Sequence, residues 1–237
     1  MNRLHIATRG IASWRERLAN PELHWQRKFS AFETAVSWEF ASNSKSGLPG
    51  PIDKLFQESG YGEPTLISAV AEHKVDLPGG TAASQSDVWA VVKTTAGMLS
   101  LTVEAKASES FGDEILERWL VAGKTEESIS NRKKRWEYIR SHLPKSDFFP
   151  QVRYQMLHRC AASVMEAKRF GFLHAAFVVQ AFNTPAKSFQ DYVLFCEALQ
   201  VPAARGGMAM TSMEGISLSI GWADCPLATD AEVAATA

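Results

Sequence analysis

Residues 86–107 read SDVWAVVKTTAGMLSLTVEAKA, and the two halves of this stretch decide the fold. Residues 87–93 and 97–107 are rich in β-branched and aromatic side chains, with only Thr94-Thr95-Ala96 between them. Two such runs across so short a connection predict an antiparallel hairpin. The connection contains no NG or DG pair, so the turn type stays open. On an extended chain Leu99, Leu101, Val103 and Ala105 point one way, and Ser100, Thr102, Glu104 and Lys106 the other. Asp87, Trp89 and Val91 likewise share a face. Pairing about residues 95 and 96 sets Asp87 opposite Glu104, whereas a slip of one residue would turn a side chain away.

A Glu two residues before a Lys occurs three times: Glu72-His73-Lys74, Glu104-Ala105-Lys106 and Glu166-Ala167-Lys168. The spacing alone therefore selects nothing, and context has to. Glu166 and Lys168 fall in a helical pattern, where residues two apart do not face each other. Glu72 and Lys74 fall at the end of a stretch also read as helical, which argues against a shared face. Glu104 and Lys106 lie on an extended strand, where period two puts both on one side of the sheet. Asp87, Glu104 and Lys106 then form a chemically coherent set at one end of a sheet. Carboxylates offer hard oxygen ligands to Mg²⁺ or Mn²⁺, and a lysine can orient water and offset developing charge. A structural ion cluster has the same composition.

Working outward, residues 21–41 (PELHWQRKFSAFETAVSWEFA) place Phe29, Phe32, Val36 and Phe40 at three- and four-residue steps, which predicts a helix. Residues 42–51 break it, and a short helix follows to Glu58. A further helix is expected from Pro64 over TLISAVAEHK, proline being tolerated in a first turn, with residues 76–85 as a loop. Beyond the hairpin, residues 112–123 (with Asp113 near the start), 131–143 and 149–171 read as helices, the last closed by Gly171. Residues 173–182 form a buried strand, 186–199 a helix and 215–223 a final strand. ARGGMAMTSMEG (204–215) is read as a mobile loop, since it lacks the strand-glycine-helix context of a phosphate cradle. The alanine-rich tail from 228 is expected to fray. The fold class is α/β: a mixed central sheet with a hairpin core, flanked by helices.

The length of 237 residues fits one domain, with a core over about 25–182 and a helix-strand extension over about 187–223. Hydrophobic residues at 46% and charged residues at 22% are ordinary for a globular chain. No apolar run reaches the length of a membrane span, and the charged first twenty residues lack a signal peptide's apolar stretch, so a cytoplasmic location is expected. Cys160, Cys196 and Cys225 stand singly, with neither zinc nor disulfide spacing, and Cys160 reads as a buried small hydrophobe. A net charge of −1 does not advertise a nucleic-acid binder, although one local patch suffices for phosphate. NRKKRWEYIR, with Arg132, Lys133, Lys134, Arg135 and Arg140, is either that patch or the wet face of a helix.

SDVWAVVKTTAGMLSLTVEAKASESFGD (86–113) resembles the core of the PD-(D/E)XK restriction-endonuclease-like superfamily. There an Asp begins one strand of a hairpin and an Asp/Glu-x-Lys ends the next. The resemblance spans about residues 25–182 and implies Asp87 and Glu104 as metal ligands and Lys106 as the motif lysine. It also implies Glu33 as a carboxylate on the preceding helix, sharing the metal, and Gln155 as the polar residue on the following one. Ser86 stands before Asp87 where many members have proline. On the helical reading of 149–171, Gln151, Gln155, His158 and Arg159 share a polar face. Arg159 and His158 would there contact a phosphate, or else Arg159 pairs with a buried acid and His158 merely hydrogen-bonds. The function implied is Mg²⁺- or Mn²⁺-dependent phosphodiester hydrolysis of nucleic acid, with DNA as the expected partner, no membrane contact and a homodimer allowed. The alternatives are a nuclease-fold protein that binds nucleic acid or protein without turnover, and a hydrolase of another phosphorylated substrate.

Overall fold

The computed structural model describes residues 8–112 and 114–236. Asp113, expected near a helix start, lies outside them. Four helices come first: α1 (Ala12–Arg15), α2 (Pro21–His24), α3 (Ser30–Ala41) and α4 (Gly50–Glu58). Three strands follow, β1 (Thr65–Val75), β2 (Ser84–Thr94) and β3 (Gly97–Lys106). A long crossover carries α5 (Leu116–Val121), α6 (Glu126–Arg140) and α7 (Tyr154–Phe170). The chain ends with β4 (His174–Phe182), α8 (Ala186–Ala198), β5 (Met208–Met213), β6 (Ile216–Cys225) and α9 (Asp230–Thr236).

The six strands form one mixed sheet in the order β1-β2-β3-β4-β6-β5. β1, β2 and β3 meander antiparallel, β4 and β6 run parallel to β3, and β5 pairs antiparallel to β6. The hairpin expected from residues 86–107 forms with the expected register: Val88 pairs with Val103, Trp89 with Thr102 and Thr94 with Gly97. Its turn is Thr95-Ala96, and the positive φ absent from both falls on Gly97 at 129°.

Alternation along the strands divides the core into two apolar layers. Leu99, Leu101, Val103 and Ala105 join Val36, Trp38, Leu55 and Phe56 of α3 and α4 on one face. On the other, Phe177 and Val179 of β4 pack with Met156, Leu157 and Cys160 of α7 and Phe195 of α8. Gly171 ends α7 in the left-handed region, at φ 71°. All three cysteines are free and buried. Among the described residues no helix is long and apolar enough to cross a membrane.

Five expectations are corrected. The helix read from Pro64 is strand β1, whose hydrogen bonds to β2 outweigh the local helical pattern. The helix read over 21–41 is two, with Trp25 leaving helical geometry at ψ 71°. The helix read from 149 begins at Tyr154, after a 3₁₀ turn at Phe149–Gln151, so Gln151 is not on α7 and bonds Glu117 instead. The loop over 204–215 holds β5. It turns into β6 at Glu214 and Gly215, both with positive φ, as a two-residue hairpin turn requires. The tail forms α9, tied back by Ile11 N donating to Thr236 O. β6 and β5 thus continue the sheet outward from β4.

Candidate functional site

The hairpin register continued one residue beyond Val88 and Val103 sets Asp87 opposite Glu104. The β1–β2 register, read between Ala71↔Val88 and His73↔Ser86, sets Glu72 opposite Asp87. Three carboxylates therefore occupy one row across three neighbouring strands. Glu72 has φ 55°, uncommon for a residue with a side chain. That twist lets Ala71 join the α3–α4 layer while His73 stacks on Trp89 and Val75 joins the α7 layer.

Glu104 is almost fully buried and both of its oxygens meet cations. Lys106 Nζ donates to Oε1 at 2.7 Å, and Arg159 Nε of α7 donates to Oε2 at 2.7 Å. Burial alone would raise the Glu104 pKa, but the two charges and their hydrogen bonds hold it below the ordinary glutamate range. For Lys106 burial works the other way, and Glu104 with Asp87 outweighs it, keeping the ammonium charged. The lysine also lies 5.5 Å from the centre of the Phe111 ring.

Asp87 and Glu72 behave differently from Glu104. Asp87 Oδ2 accepts a hydrogen bond from Ala105 N at 2.6 Å, and Glu72 accepts one from the Gln85 amide. Neither makes an ion pair among the described residues. Burial, then the charges of Glu104 and Glu72, push Asp87 well above the usual aspartate range. Burial also raises Glu72, partly offset by Gln85. The row thus sets three carboxyl groups beside two cations, Lys106 and Arg159, both of which are paired with Glu104. Its oxygens suit a hard divalent cation such as Mg²⁺ or Mn²⁺. Yet among the described residues no group of three or more His, Cys, Asp or Glu is drawn together as a ready metal cage.

α7 supplies the opposite wall. Arg159 also reaches Ser84 Oγ at 3.2 Å and His158 Nδ1 at 3.3 Å. A guanidinium only donates, so Nδ1 accepts. Burial and then Arg159 and Arg135 push His158 well below the usual histidine range, so its imidazole is neutral. Gln155, one turn before Arg159, lines a cavity of about 340 Å³ with Phe111, Trp119 and Tyr154. Its Oε1 is buried without a hydrogen-bond partner among the described residues, a state that carries a cost in a folded interior.

The expected set is thus brought together only in part. Asp87, Glu104 and Lys106 converge, with Arg159 and His158 beside them and Gln155 one turn away. Glu33 does not join them. It is fully buried on α3, in the layer across the sheet, and accepts from Lys28 N at 2.7 Å and Ala228 N at 2.6 Å. Its carboxylate holds together the α3 entry and the segment before α9. Glu72, which the helical pattern of its segment argues against, joins the row because that segment is strand β1. The third Glu-x-Lys stays off the site as well: Glu166 is buried between Arg169, at 3.2 Å, and His73, at 3.5 Å.

Among curated proteins and among solved structures, no match to the chain was found. A family model described as "Domain of unknown function (DUF6946)" matches residues 7–226, from before α1 to just past the end of β6, and the chain belongs to that family.

Proposed function

We propose that the chain is a restriction-endonuclease-like phosphodiesterase that hydrolyses nucleic acid, DNA foremost, with Mg²⁺ or Mn²⁺ as cofactor. The observation that carries this reading is the row Glu72, Asp87 and Glu104 with Lys106 bonded into it. Asp87 and Glu72 would hold the cation, with Glu104 as the shared ligand. When bound, the metal polarises a phosphoryl oxygen and lowers the pKa of coordinated water. The chain's own groups do the rest. Lys106 keeps a positive charge beside the carboxylates, where it offsets negative charge developing on the phosphate. Arg159 fixes the orientation of Glu104. The Gln155 carbonyl oxygen offers an unused acceptor one helical turn away.

A second reading is favoured by one observation: both Glu104 oxygens are already satisfied. A protein that binds nucleic acid without turnover would keep such a network as structure. Titration with Mn²⁺ and Mg²⁺, comparing wild type with Asp87→Asn and Glu104→Gln, separates the two. Saturable binding lost in both variants, together with metal-dependent cleavage of single- or double-stranded oligonucleotide, is the expected result. Oligonucleotide binding indifferent to metal would favour the second reading. No metal binding by wild type, even with oligonucleotide present, would overturn the first.

A further inference from the structure

Between residues 79–82 and α6 lies a cavity of about 510 Å³. Gly79, Gly80, Thr81, Arg132 and Arg135 line it. The basic run of α6 is split by the helix: Lys133, Lys134 and Arg140 are exposed, whereas Arg135 is only 9% exposed. Arg135 donates to Pro78 O at 3.0 Å and acts electrostatically on the Tyr154 hydroxyl. Arg132 donates to Trp119 O, lies 5.0 Å from that ring's centre and has Glu114 at 3.8 Å. Among the described residues Arg135 meets no carboxylate. Glu127 lines the same cavity but makes no ion pair there with either arginine. A guanidinium this buried ordinarily has a counter-charge.

The loop that closes the cavity is pressed against the helix. Gly79 has φ 75°, and a Cβ there would fall 2.1 Å from Asn131 O. At Gly80, with φ 126°, a Cβ would lie 3.4 Å from Arg135 Nη2, so bare backbone covers the guanidinium. Tyr154 lies between Trp119 of the cavity wall and His158, the neighbour of Arg159 on α7. It stacks on Trp119 with ring centres 3.7 Å apart and lies 4.8 Å from His158. Arg135 and Arg159 both act electrostatically on His158.

We propose that this cavity is a phosphoryl subsite, in which Arg132 and Arg135 receive a backbone phosphate of nucleic acid held across the acidic row. The proposal rests on the nucleic-acid reading above and adds the residues that hold the strand away from the point of attack. Phosphate fits because guanidinium groups match its oxygens with paired donors.

The test measures anisotropy of labelled single- and double-stranded oligonucleotides with the full chain in EDTA, for wild type, Arg132→Gln and Thr81→Glu. Thr81 is exposed at the rim, so Thr81→Glu adds a repelling charge without touching the arginines' structural bonds. Both variants are expected to weaken binding about tenfold and to lower the slope of log affinity against log salt by roughly 0.7 to 0.9. Lys133→Gln, on the exposed face, serves as the comparison and should change binding less. Inorganic phosphate is titrated in parallel. Phosphate binding lost in the variants while oligonucleotide affinity is unchanged would overturn the nucleic-acid assignment. Unchanged binding of both ligands would overturn the subsite. The nuclease reading fails separately: oligonucleotide binding weakened by both variants, without metal-dependent cleavage by wild type, would leave the subsite standing.

Discussion

Glu33 and Glu104 are both buried glutamates in layers on opposite sides of one sheet, and they are held in different ways. Glu33 is satisfied by two backbone N–H groups, Glu104 by a lysine and an arginine. Backbone donors cannot leave, so Glu33 is a fixed tie between α3 and the segment before α9. Cations on side chains can rearrange, and Glu104 sits in a row with two carboxylates that lack an ion pair among the described residues. The contrast separates a carboxylate used to close a fold from one able to exchange partners.

The sharpest way to break this contrast is to remove Glu104. Glu104→Ala leaves Lys106 and Arg159 buried without their counter-charge and should cost about 3–5 kcal/mol in chemical denaturation. A loss below about 1 kcal/mol would mean the two cations find other partners. Glu33→Gln comes next. Its amide faces a backbone N–H with a donor instead of an acceptor, which should cost about 1–3 kcal/mol while leaving divalent-metal binding intact. Loss of metal binding in that variant would reinstate Glu33 at the site.

The smallest effect is expected from Asp87→Asn, and it depends on pH. The folded-state pKa of Asp87 is raised, so its ionisation favours the unfolded chain. Wild-type stability from this group is therefore fully present below the unfolded-state pKa of an aspartate and is lost as pH rises through the folded value. Asp87→Asn should match wild type near pH 4 and be the more stable protein at neutral pH without metal. Saturating Mn²⁺ should stabilise wild type alone and so narrow or reverse that difference. Equal pH profiles would show that Asp87 is not held against the charges of Glu72 and Glu104.

What could be read from sequence follows the same division between local and distant causes. The hairpin and its register were legible because two strands joined by two residues leave few other pairings, and period two then places Asp87, Glu104 and Lys106 together. Glu72 was not legible. Leu66, Ile67, Ala69 and Val70 suit a helix as readily as an edge strand, the ladder shifts between Leu66 and Ser68, and φ 55° at Glu72 breaks the alternation. β5 was missed for a related reason. Its methionine-rich MAMTSM lacks β-branched runs, and its turn places Glu214 where asparagine would announce a hairpin. The role of Glu33 depends on Ala228, 195 residues away, which no local pattern reveals.

The parallel pairing of β3 with β4 has a consequence for how the chain assembles. Glu104 is at the end of β3 and Arg159 is 55 residues on, inside the crossover that this pairing demands. The hairpin forms from near neighbours, but closing so long a connection is a slower, entropically costly event. Loop-closure entropy therefore predicts that the acidic row is built first and that its arginine arrives when α7 docks. Until then Glu104 stands without that partner. A divalent cation present during refolding meets the carboxylates before Arg159 does.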